Sequence, residues 1–148
     1  MFLINDGANE RERRILQFLD TDPPIAVMLA AIHFEWTVKR AILKLSRRPT
    51  VTLRGELVRV YGLDGYKKAW SSEVGGESLP NVMGRVYWHR VTVAFTLRNQ
   101  IVHGAGGCSR VFAEPRVAAL LTAAERIREM VSANGLDLFS RLRPRRRS

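Results

Sequence analysis

Apolar residues recur along this chain mostly at the three- and four-residue spacing of helices. In NERERRILQFLD, Asn9 is placed to cap a helix, Glu10 and Glu12 fall in its first turn, and Ile15, Leu16 and Leu19 share a face. TDPP then ends one helix and starts another, with Asp22 at the cap and a proline at the first helical position, where its missing N–H costs little. Ile25 to Ser46 has no internal Gly or Pro and is the strongest helix of the chain. Leu29, Ile32, Trp36 and Leu43 recur along it, Glu35 can pair with Lys39, and its first half is apolar almost all round, as in a central helix.

Further on, a helix is predicted from about Thr52 to Tyr61, closed by Gly62 and weakened by Gly55 inside it. YKKAWSSEV adds a turn or two of helix, and GGES is a loop. Leu79 to His103 reads as a second long helix with Pro80 near its start, carrying Met83, Tyr87, Val91, Ala94, Phe95 and Arg98 near one stripe. Val91 and Val93 are β-branched, but the run is too long for one strand. A last helix runs from Glu114 to Asn134 and stops at Gly135. Nothing reads as a hairpin or a βαβ unit. The expected fold is an all-α bundle of about four to six helices, two of them long and central, in a single domain over residues 1–140.

Composition fits a folded chain: 46% of the 148 residues are hydrophobic and 26% charged. Charge then points to a partner. The net charge is +10, with arginine far ahead of lysine, and arginine suits bidentate contact with phosphate. Arg141, Arg143, Arg145, Arg146 and Arg147 crowd into residues 141–148 without an acid among them, a basic, solvated tail on a mildly basic body. A polyanion, RNA above all, is the expected partner. The single cysteine, Cys108, excludes an internal disulfide and cysteine-ligated metal clusters. No apolar run approaches a membrane span, and in MFLINDGANERERR the basic residues follow the apolar stretch, unlike a signal peptide, so a cytoplasmic protein is expected.

Four sets of residues could carry chemistry. The glycines of HGAGG lack the Lys-Ser or Lys-Thr of a phosphate loop and follow a helix, so they read as its terminator. His33, His89 and His103 lack metal-ligand spacing, and no metal or cofactor is expected; His33 and His89 read as partly buried helix residues. Cys108 lies near His103 and Arg110, which could lower its pKa. The fourth set is Arg98, Asn99 and His103, a cation, an amide and an imidazole where a long apolar helix runs out before Gly104.

RNQIVH, Arg98 to His103, resembles the R-x4–6-H motif of HEPN domains, with the usual polar residue after the arginine at Asn99. These are small all-α bundles found in toxin–antitoxin, anti-phage and CRISPR-associated ribonucleases. FEWTVKRAIL and YGLDGYKKAW are also similar to segments of that family. The resemblance implies a metal-independent endoribonuclease in which Arg98, His103 and Asn99 are the catalytic set, one half of a composite site. On a straight helix Arg98 and His103 point about 140° apart, and the family's motifs face each other across a dimer cleft. A homodimer with a composite site follows, with the end of the Leu79–His103 helix at its interface, Asn99 orienting His103 or a phosphate, Glu35 holding Arg98, and a cognate antitoxin protein as a further partner. Two other readings stand beside it: a non-catalytic HEPN protein-interaction module with Arg98 and His103 as interface groups, and a small basic nucleic-acid-binding protein driven by the arginine tail and scattered basic residues.

Overall fold

The computed structural model describes residues 7–104, 106–140 and 142. Their regular structure is helical throughout: α1 (Ala8–Thr21), α2 (Pro23–Leu45), α3 (Thr50–Leu57), α4 (Gly62–Glu73), α5 (Leu79–Met83), α6 (Arg85–Val102) and α7 (Arg110–Ala133). The all-α class is as expected. No helix among the described residues is long and apolar enough to cross a membrane. The five tail arginines, Arg141, Arg143, Arg145, Arg146 and Arg147, lie outside the described residues.

Two glycines explain why there are seven helices where the pattern gives four to six. Gly84 has φ +94°, a backbone that other residues rarely adopt, and it divides the expected Leu79–His103 helix into α5 and α6. Gly62, expected to close a helix, instead opens the next one. The preceding helix already ends at Leu57, and YKKAW becomes part of the 12-residue α4, which buries Tyr66 and Trp70.

The start of α2 is as read from TDPP. Pro23 is the first helical residue, and the Asp22 carbonyl accepts from the Ala26 N–H at 3.2 Å. The buried face of α2 differs from expectation. Ile32 is 46% exposed and Leu29 and Trp36 are half-buried. Ala26, Val27, Ala30, Ala31, Phe34, Val38, Ala41 and Ile42 are buried instead. Four of these are alanines and the bulk is supplied by Phe34, Val38 and Ile42; Leu43, also on the expected stripe, is buried, while Ile32, Leu29 and Trp36 lie at the margins. Lys39, expected to pair with Glu35, places its ammonium 5.8 Å from the Tyr66 ring centroid.

α7 begins at Arg110, four residues ahead of the expected Glu114. Ser109 supplies the start: its Oγ accepts from the Phe112 N–H at 3.3 Å and its carbonyl accepts from the Ala113 N–H at 2.9 Å. Pro115 therefore lies inside the helix, where it has no N–H to give the Val111 carbonyl.

The chain divides into two compact units, Met1–Glu35 with Val86–Ala124, and Trp36–Arg85 with Glu125–Ser148. Neither is continuous in sequence, and both α2 and α7 contribute to each. In the first unit Phe34 meets Phe95 edge-on, with centroids 5.8 Å apart, and Ile15, Val91, Val117 and Leu120 are buried. His33 is buried there with its Nε2 3.8 Å from a Glu12 carboxylate oxygen. In the second unit the Trp70 indole N–H donates to the Glu77 carbonyl at 3.2 Å, and Arg48 bridges Glu56 and Glu73 at 2.5 and 2.6 Å. The segment after α7 is pinned along α2: Arg40 donates to the carbonyls of Leu138 and Ser140 at 2.5 and 2.6 Å, and Phe139 stacks on Trp36.

Candidate active site

The end of α6 carries the motif. Val91, Ala94, Phe95 and Leu97 are buried and fix which way the helix faces. Thr92, Thr96, Asn99, Gln100 and His103 follow one another on the exposed side. The two threonine hydroxyls fold back onto the carbonyls four residues earlier, at 2.9 and 3.1 Å, so neither competes with the helix for its own N–H groups.

Arg98 is half-buried, and its Nη1 donates to the Asn99 Oδ1 at 3.0 Å. Asn99 also serves the histidine, through its main chain: the His103 N–H donates to the Asn99 carbonyl at 3.0 Å. The next residue ends the helix. Gly104 takes φ +74° and its N–H donates to the Ile101 carbonyl at 3.1 Å. His103 is thus the first residue beyond α6, with an exposed side chain, and its backbone is held between the Asn99 carbonyl and a left-handed glycine.

The Arg98 guanidinium takes the amide one residue along its own helix, which lies within easy reach of so long a side chain. The Asn99 Oδ1 accepts from Arg98, and its Nδ2 keeps two N–H donors for His103 or a phosphate. Among the described residues Arg98 has no further acceptor, which leaves most of its five N–H donors available for a ligand.

The other candidates separate cleanly from this one. Burial pushes the Cys108 thiol up from its ordinary value and Asp22 reinforces the rise, while Arg116 opposes it. Arg110, expected to activate the thiol, is engaged by Asp20 at 2.8 Å and faces Glu114 at 3.8 Å. Among the described residues no three His, Cys, Asp or Glu side chains are grouped to hold a metal. The glycines after His103 terminate the helix: Gly104 and Gly106 have positive φ, and a Cβ on Gly107 would lie 3.6 Å from Pro24.

One neighbourhood escaped the sequence reading. His89, read as partly buried, is exposed. Beside it the Arg90 guanidinium sits 5.6 Å from the Tyr87 ring centroid, and on α7 the Arg116 guanidinium lies 3.6 Å from that of Phe112. The signal was present as an aromatic residue three or four positions before an arginine, twice.

No protein-family model matches the chain, and neither a curated protein nor a solved structure is detectably similar to it.

Proposed function

We propose that the chain is a metal-independent endoribonuclease of the HEPN type, acting as the toxin or effector of a toxin–antitoxin or phage-defence pair. The observation that carries this reading is the common anchorage of Arg98 and His103 on Asn99, through its side chain and its carbonyl, at a helix end that leaves the imidazole exposed. Arg98 and His103 are the catalytic residues, and the Asn99 side chain positions the guanidinium.

In this reading an RNA phosphate binds against the guanidinium. His103 takes the proton of the adjacent 2′-OH, and O2′ attacks phosphorus as its bond to O5′ breaks. The leaving O5′ takes a proton from a second acid, and the charge on the non-bridging oxygens is met by Arg98 N–H groups. The products are a 2′,3′-cyclic phosphate and a 5′-OH. Histidine suits either proton transfer because its unperturbed pKa is about 6.5. One chain supplies one such histidine, so the acid comes from His103 of a second copy in a two-fold pair.

Purified protein incubated with total RNA in EDTA is expected to cleave it. Arg98→Ala should lower the rate about 10²–10³-fold, and His103→Ala about 10²–10⁴-fold. Undiminished cleavage by both variants would remove the assignment.

A further inference from the structure

A second site for the same class of ligand lies away from the motif. A groove of about 470 Å³ runs between the first half of α6 and α7, entirely within the unit Met1–Glu35 with Val86–Ala124. Tyr87, His89 and Arg90 line it from α6 and Arg116 from α7, over a floor that includes Val93 and Ala118. None of the described residues that line it is acidic. Glu114, the nearest acid in sequence, faces Arg110.

The cations of this groove are not spent on the protein. Among the described residues Arg90 has no hydrogen bond or ion pair and rests only on the Tyr87 ring. Arg116 gives one N–H to the Phe112 carbonyl at 2.9 Å and otherwise stacks on the Phe112 ring, itself 47% exposed. A guanidinium beside an aromatic ring keeps N–H groups that can still pair with phosphate oxygens, and Arg90 is exposed and Arg116 half-buried. The groove thus joins donors for phosphate to an apolar floor for a planar group, and a cavity of this size takes a small planar ligand. A strand with a phosphate at every step and an exposed base between them satisfies both, which duplex RNA with its bases stacked inside does not.

We infer that the α6–α7 groove binds single-stranded RNA, with Arg90 and Arg116 on successive phosphates and one base against Val93 and Ala118. The inference extends the proposed function without depending on cleavage. It is tested on binding alone, with the full chain and a fluorescent 12-nucleotide single strand carrying 2′-O-methyl sugars, which 2′-OH attack cannot cut. Fluorescence anisotropy is read from low to physiological salt. The Arg90→Gln/Arg116→Gln double variant should bind at least tenfold more weakly than wild type at low salt. Its slope of log affinity against log salt should be shallower by about 1.4, two phosphate contacts at about 0.7 each.

Ala118→Glu, on an exposed helix position, should weaken binding as strongly by placing a carboxylate on the floor. Lys67→Gln/Lys68→Gln removes two exposed charges from the other unit and should change affinity less than twofold. Matching far-UV circular dichroism is required of every variant compared. Equal losses in the lysine and arginine doubles would overturn the site in favour of diffuse charge, and an unchanged affinity in the arginine double and Ala118→Glu would overturn it outright. So would equal affinity for a duplex or an acidic peptide. Intact binding dependence with no cleavage of natural RNA would leave this site standing and remove the proposed activity; cleavage of natural RNA together with binding indifferent to the groove variants would do the reverse.

Discussion

Replacing Gly104 by alanine should destabilise the protein, although the same change usually stabilises a helix. Gly104 has φ +74° and a Cβ built on it would meet nothing within 4 Å, so the cost is backbone strain without a clash. A left-handed conformation costs an L-residue about 1–2 kcal/mol. Alanine recovers about 0.4–1 kcal/mol by restricting the unfolded chain. The net loss is about 1 kcal/mol, a fall in Tm of about 2–4 °C for a chain of this size. Unwinding the last turn of α6 would relieve the strain but would break the 3.0 and 3.1 Å bonds of His103 and Gly104. At about 0.5–1.5 kcal/mol each, those bonds are worth as much as the strain. Either route disturbs His103, so cleavage should fall with the motif itself unchanged. Gly55→Ala is the internal comparison. Gly55 lies inside α3 with no positive φ and open space around its Cβ position, and alanine there should add about 0.5–1 kcal/mol. Urea denaturation of the three proteins, followed by far-UV circular dichroism, gives both signs. A Gly104→Ala protein as stable as wild type, or a Gly55→Ala protein less stable, would refute the reasoning.

Ser109→Ala removes the acceptor of the Phe112 N–H and should cost about 0.5–2 kcal/mol in the same denaturation measurement, with Ser109→Asp retaining most of it; no loss would mean that the cap is not holding α7. Alkylation of Cys108 by iodoacetamide should show a pH midpoint above that of an ordinary thiol, and a midpoint at or below that value would contradict the burial effect. Because the folded thiol keeps its proton to higher pH than the unfolded one, the same shift makes the native state lose stability as pH rises past the unfolded value. Sedimentation equilibrium should give twice the chain mass, and full cleavage by a monomer would contradict the shared site.

The helices that end on strong local signals were legible in the sequence. TDPP places the α1–α2 junction, and Gly135 follows the end of α7 closely. What escaped was decided by backbone conformation or by packing. Gly55 and Gly84 both look like single glycines inside a helical pattern, yet only Gly84 takes a positive φ and breaks its helix. α7 starts ahead of the expected Glu114, at the cap made by Ser109, and carries Pro115 inside it, whereas proline is usually found at a helix start. On α2 the stripe read from Leu29, Ile32, Trp36 and Leu43 was buried only at Leu43, since the core face also takes alanines, which carry little hydrophobic signal of their own. Within the site the sequence identifies Arg98, Asn99 and His103 and the glycine that follows them. It does not reveal that Asn99 joins the other two, because that bond depends on the rotamer of a long side chain.

The most direct test of the account is the chemistry of the cut ends. RNA cleaved by the full chain in EDTA should carry a 2′,3′-cyclic phosphate on one fragment and a 5′-OH on the other, with neither end produced by His103→Ala. Fragments bearing a 3′-OH and a 5′-phosphate, or the same ends in the same yield from His103→Ala, would contradict it.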